Sequence, residues 1–218
     1  MSLDLETIPI QQQFEEVIAS EDKLQIKDFL NNQNISDVAE LIYENEDYES
    51  QIMSHLSIHR AASTFKILEL TTQKRIIKSL PAFASAELLN ELPADDRTAF
   101  LSELPSNAVR ELVKALNPDE RKITLSLLGY PEGSVGRLMT PDYVYVYEDD
   151  SVEDVLNTIK KNAKNSETID VIYVINDKGE LLDDIRIKDF IMATPDKKVN
   201  ELMDGRFISL SAEDDQEV

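Results

Sequence analysis

Two histidines and an excess of carboxylates stand out as side chains with chemistry to offer. His55 and His59 lie four residues apart, a spacing that suits two zinc ligands on one helical face. No HExxH motif, cysteine or evident third ligand accompanies them, and Ser57-Ile58 can start a new helix between them. Both read as surface or packing residues. The lack of cysteine removes thiolate nucleophiles and disulfides as well. No Ser-His-Asp arrangement is visible, and no Gly-rich phosphate loop follows a strand. The chain is therefore read as not an enzyme.

The carboxylates remain. The chain holds 43 acidic and 22 basic residues, a net charge of -21. Oxygen ligands of this kind suit hard divalent cations, which need neither cysteine nor histidine. Acidic runs stand at Asp95-Asp96 behind Pro93, at Glu148-Asp149-Asp150, and at Asp214, Asp215 and Glu217, and composition alone singles out none of them as metal ligands. Each has a plainer reading. Asp95 and Asp96 favour a helix N-terminus, Glu148–Asp150 is a solvated cap region, and the last run opens a short helix.

The acidity is spread along the chain. Residues 1–128 carry 22 acidic and 12 basic side chains, and the rest carry 21 and 10. Such a surface repels phosphate backbones, so no nucleic-acid partner is expected. No apolar run approaches the length of a membrane span, and the N-terminus has no signal-peptide pattern.

The elements that must position these groups fall into two halves. In the first, apolar spacing predicts short helices over 11–31, split near Ser20, which is expected as an N-cap. Further helices follow Ser36, over 48–56 and over 59–70. Leu80-Pro81, Leu92-Pro93 and Leu104-Pro105 then recur every 12 residues, with Leu116-Asn117-Pro118 one residue late. Proline is tolerated in the first helical turn, so each Leu-Pro closes one helix and opens the next. Helices this short need their neighbours. Stacking predicts a solenoid-like superhelix, with an irregular helical bundle as the alternative.

The stretch GYPEGSVGRLMTPDYVYV, residues 129–146, ends that regime. Three of the chain's 5 glycines and two of its 8 prolines lie there. Val144 and Val146 then alternate with Tyr143, Tyr145 and Tyr147, as in a half-buried strand. Ser151 with Asp154 forms a short capping box for a helix carrying Val155 and Ile159. A strand over 169–175, a turn at Asn176–Gly179, a strand over 180–187 and brief helices over 188–192 and 199–203 follow. Ile169, Val171, Leu181 and Ile185 are expected in the core. Phe207–Leu210 reads as a final strand and 212–218 as a helix onset. MTPDYVYVYEDDSVEDV is echoed by MDGRFISLSAEDDQEV, an internal repeat.

That second half resembles a cystathionine-beta-synthase (CBS) domain followed by the start of another. With YPE…GRLMTP and the Leu-Pro repeats, nearly the whole chain is similar to the cytosolic part of MgtE-type magnesium transporters. The resemblance implies a multidomain α plus α/β fold. It comprises a helical domain over 1–128, a junction over 129–140, a first CBS motif over 141–198 and the truncated beginning of a second over 199–218. It implies a magnesium-sensing regulatory region on the cytoplasmic face of the membrane, gating a transmembrane domain of the same full-length chain that these residues lack. A homodimer through the CBS region is expected. The alternative is a CBS-containing protein-binding adaptor.

Magnesium ligands carry over by motif. Asp95 in LPADDRTAF matches a family carboxylate, with a water bridge allowed, while Ala99 and Ser63 stand where the family has two more. Asp214, Asp215 and Glu217 match the acidic run that opens the second CBS helix. In GELLDDIRIKDF, Asp183 takes the place of a customary glycine and Ile187 that of a serine. No bound nucleotide is expected, since that serine helps hold ribose. Mg2+ or another divalent cation is the expected ligand.

Overall fold

The computed structural model describes residues 9–162 and 169–217. Met1, at the chain start, Ala163, at the end of the expected helix after Ser151, and Val218, at the end of the expected helix onset, lie outside them. The chain divides into two compact units, one formed by 1–92 with 96–125 and the other by 93–95 with 126–218.

Ten short helices build the first half: α1 (Ile10–Ala19), α2 (Lys23–Asn32), α3 (Ile35–Glu44), α4 (Glu49–His55), α5 (Ile58–Ile67), α6 (Leu70–Ser79), α7 (Ala82–Glu91), α8 (Ala94–Ser102), α9 (Ser106–Ala115) and α10 (Pro118–Leu128). From α5 onward they begin 12 residues apart. The period thus starts two units before the first Leu-Pro pair, at Leu56-Ser57 and Leu68-Glu69. Proline is not what sets it. A buried or half-buried leucine ends each unit, followed by extended backbone that opens the next helix. Alternate helices pack on one another, α3 on α5, α5 on α7 and α7 on α9, with α2 on α4 and α4 on α6. Their core includes Phe14, Leu30, Leu41, Ile42, Ile52, Phe65, Ile76, Leu88, Leu89 and Leu101.

Two caps differ from expectation. Ser20 closes α1, its hydroxyl donating to the Val17 carbonyl at 2.7 Å. Asp22 is the N-cap of α2, accepting from the Leu24 and Gln25 amides. A carboxylate satisfies two orphan donors there at once. Asn34, not Ser36, occupies the cap position of α3, and Ser36 lies within the helix.

The Leu-Pro boundaries carry a polar device. Proline has no N–H, so the carbonyl four residues before it loses its helical donor. The residue four after the proline supplies one. Ser85 Oγ donates to the Ile77 carbonyl at 3.3 Å across Pro81, and Arg97 to the Leu89 carbonyl at 3.1 Å across Pro93. Gln73 reaches Phe65 and Arg121 reaches Val113 with the same eight-residue separation. Arg97 is fully buried and also binds the Leu92 carbonyl, Thr124 and Glu120. At Pro105 the matching residue is Val109, which has no side-chain donor. There the Leu101 carbonyl takes the Leu104 amide in a tightened last turn instead.

In the second unit α11 (Val135–Leu138) precedes β1 (Tyr145–Tyr147), α12 (Val152–Asn162), β2 (Val171–Ile175), β3 (Leu181–Arg186) and α13 (Ile187–Met192). The sheet order is β1-β2-β3, with β1 parallel and β3 antiparallel to β2. Ser151 and Asp154 cap α12 reciprocally, amide to side chain at 3.1 and 3.2 Å. Gly179, at φ +79°, closes the β2–β3 turn, and Asn176 Oδ1 accepts the Lys178 and Glu180 amides.

Val144 and Val146 are buried and the three tyrosines exposed, as the alternation predicts. The β2 face is out by one residue. Ile172 and Val174 are buried with Ile185, whereas Ile169, Val171 and Leu181 are half-buried. Val146 pairs with Val174, and the pleat then fixes every other side chain. Phe207–Leu210 is not a strand. Among the described residues no ladder reaches it, and strand structure exists only by pairing. Residues 212–217 form turns, not a helix.

Candidate functional site

Asp95 sits in the first turn of α8, where a carboxylate faces the positive end of the helix. It is half-buried, and its Oδ1 is buried without any hydrogen-bond partner. Buried polar oxygens are nearly always satisfied, so this one has capacity to spare for a cation or its water. Its neighbour Asp96 lies 3.6 Å from the Lys66 ammonium. Ala99 is exposed and Ser63 half-buried, and the Ser63 hydroxyl donates to the His59 carbonyl at 2.9 Å.

Asp214, Asp215 and Glu217 are exposed in the closing turns. One oxygen of Asp214 accepts the Ser211 amide at 2.8 Å, and one of Asp215 accepts the Glu217 amide at 2.9 Å. Among the described residues the second oxygen of each meets no protein donor. The backbone here is fixed by the junction. Val135 N–H donates to the Asp214 carbonyl at 2.9 Å, Gly136 N–H to the Ala212 carbonyl at 2.8 Å, and Gln216 N–H to the Gly133 carbonyl at 2.9 Å. The junction is thus a folded turn.

Among the described residues no three histidine or carboxylate side chains converge into a metal-binding group. Asp95 and the 214–217 run are therefore not gathered into one cage. The donor set still fits Mg2+, which keeps several waters and takes one or two carboxylates. The histidines are separated as expected, His55 ending α4 and His59 lying in α5, 3.2 Å from Glu91.

Asp183 was legible only as a departure from a motif. On β3 it is 1% exposed, and its carboxylate accepts the amides of Asp184, Asp204 and Gly205 at 2.9, 2.8 and 3.0 Å. It ties the segment after the last helical turn to the sheet. Nothing in residue type or spacing signals that the partner lies 21 positions on.

Comparison with known proteins agrees with this architecture. Residues 11–133 match the family described as the MgtE intracellular N domain, and residues 135–196 match the CBS domain. A magnesium transporter MgtE of Bacillus subtilis is 29% identical over 172 residues, 79% of this chain and 38% of that protein. One from Thermus thermophilus is 37% identical over 108 residues, 50% of this chain and 24% of the relative. The chain thus spans well under half the length of these relatives. The crystal structure of the cytosolic domain of the Mg2+ channel MgtE in complex with ATP superposes with a TM-score of 0.89. It is 30% identical, and the match covers 95% of this chain and 85% of that one. A second structure, the soluble part of a magnesium transporter, shares the fold at a TM-score of 0.84 and 21% identity, over 96% of this chain and 84% of that one. Among the described residues no helix is long and apolar enough to cross a membrane. On the helical N domain and the CBS domain together, the chain belongs to the MgtE family of magnesium transporters.

Proposed function

We propose that this chain is a magnesium-sensing regulatory region, placed at the cytoplasmic face of the membrane, that gates a pore in the transmembrane part of the full-length protein. Its modules are 1–128, a short-helix solenoid, 129–140, 141–198 and 199–218, and it pairs as a homodimer through the CBS region. Two lobes of like charge repel. Mg2+ held by Asp95 and by Asp214, Asp215 and Glu217 lowers that repulsion and favours a compact state. High magnesium then favours closure and low magnesium opening, because the ion binds one arrangement better. The observation that carries the reading is the buried Asp95 Oδ1 without a partner.

Nucleotide is not the expected ligand. A similar domain was solved with ATP, but here Ile187 stands at the serine position and both Asp183 oxygens are committed to backbone amides. An adaptor role is the second reading. It is favoured by a cleft of about 330 Å³ lined by Met53, Leu56, Ile58, Leu80 and Phe83, with Phe83 70% exposed.

Calorimetric titration of MgCl2 into the wild type and Asp95→Ala, with small-angle scattering at both ends, tests the proposal. Heat of binding and a smaller radius are expected for the wild type, and weaker binding for the variant. Physiological salt, where the Debye length is about 8 Å, removes diffuse screening as the cause. Equal radii with and without Mg2+ would refute closure, and equal isotherms would remove Asp95 from the site.

A further inference from the structure

The junction and the acidic closing turns are bonded more closely than either is to the sheet. Three amide-to-carbonyl bonds run between 133–136 and 212–216, around a bridge between Ser134 and Asp215. Ser134 is buried, and its hydroxyl donates to the Pro131 carbonyl at 2.8 Å. Arg137 Nε donates to the Tyr130 carbonyl at 2.7 Å, which draws the same turn tight. Gly136 is buried at the centre. A Cβ there would lie 2.5 Å from the Tyr130 ring and 2.8 Å from the Ala212 carbonyl oxygen. Neither is the free end of a flexible chain, so any side chain at 136 has to push the two segments apart.

We infer that residues 133–136 and 212–216 form a latch that opens and closes as one unit, with Gly136 as its positioning residue. Asp214 and Asp215 lie on one limb of this latch. Their backbone carbonyl and bridge contacts set where these two residues stand beside the junction. Resting on the Mg2+ reading above, the latch is the route by which a cation taken by Asp214, Asp215 and Glu217 stiffens the junction. By linkage, whatever Mg2+ gains from a closed latch, the latch gains from Mg2+.

Amide hydrogen exchange on the whole chain tests this. In metal-free wild type, the Val135, Gly136 and Gln216 amides should be protected to the same degree, as members of one opening unit. Gly136→Ala should lower the protection of all three together, by about tenfold or more, while Ile172 and Tyr173 in the sheet hold theirs. Gln216→Pro removes one latch donor from an exposed position without adding bulk at 136. It should lower Val135 and Gly136 together. Unequal protection in the wild type, or Val135 unaffected by both variants, overturns the latch. With MgCl2 added, protection of the three amides should rise in the wild type and not in Gly136→Ala. Mg2+ binding by calorimetry with no change at the latch overturns the coupling and leaves the sensor reading standing. Absence of any Mg2+ heat defeats the sensor reading and the coupling, while the metal-free exchange still decides the latch.

Discussion

Arg97→Met is the sharpest test of how the helical unit is held together. Methionine keeps a long unbranched side chain in a site where Arg97 has no exposed surface. It removes four bonds: to Thr124 at 2.8 Å, to the Leu89 and Leu92 carbonyls at 3.1 and 3.0 Å, and to Glu120 at 2.5 Å. They are not equal losses. Thr124 keeps a partner, because its hydroxyl also donates to the Glu120 carbonyl at 2.7 Å. Glu120 is 33% exposed and turns to water, so its half of the ion pair counts for little. The Leu89 carbonyl has no such recourse, since its helical donor would be the nitrogen of Pro93. Each buried carbonyl left bare costs about 1–3 kcal/mol. The sum for Leu89 and Leu92 is about 2–6 kcal/mol. Arg97→Lys, which brings one point charge in place of a fork, should lose less, about 1–3 kcal/mol. The assay is urea unfolding followed by circular dichroism, with exchange of the Leu101 and Leu104 amides to assign the loss to the helical unit. Two compact units need not unfold together, so the exchange data are required. An Arg97→Met protein within about 0.5 kcal/mol of wild type would refute the carbonyl argument.

Asp183→Ala should release the Asp204 and Gly205 amides to exchange while Ile172 stays protected, at a cost to the CBS unit of about 1–3 kcal/mol, since a buried carboxylate also loses its own desolvation penalty. The Asp154 carboxyl is held below its ordinary 3.8 by the Ser151 hydroxyl first and the Ser151 amide second. A depressed folded value stabilises above the unfolded pKa, so this support for α12 is present above about 3.8 and disappears as pH falls through the lower folded value. In Ser151→Ala the carboxyl, followed by NMR, should titrate closer to 3.8; an unmoved titration excludes the Ser151 hydroxyl as the cause.

What residue order reveals depends on whether the deciding partner is near in sequence. The Leu-Pro punctuation, the Val/Tyr alternation of β1 and the Ser151–Asp154 cap are all local, and each was readable from spacing. The strand Val171–Ile175 is apolar along its length, so no alternation marks its inner face. Only the pairing of Val146 with Val174 decides it. Phe207–Leu210 alternates well yet is no strand, with Ile208 at 94% exposure, because pattern supplies a face and not a partner. The same limit governs the site. Among 43 acidic residues Asp95 stood out only through family resemblance. What distinguishes it physically is a buried oxygen with nothing to accept, a property of the packed helices.

The proline rule reverses this limit and makes one distant contact readable. A proline at position n strips the carbonyl at n-4, and the helix that follows places residue n+4 beside it. Ser85 and Arg97 obey the rule, and Gln73 and Arg121 occupy the same place in units whose boundary has no proline at that position. The donor site is therefore a feature of the 12-residue stacking, and proline only makes filling it more urgent. Val109 is the exception that exposes the mechanism. Where no donor is available, α8 closes on tightened turns, Glu103 to Phe100 and Leu104 to Leu101, each at 3.2 Å. At Pro105 the deprived carbonyl of Leu101 takes its partner from the backbone of the same turn, because Val109 has no donor to offer.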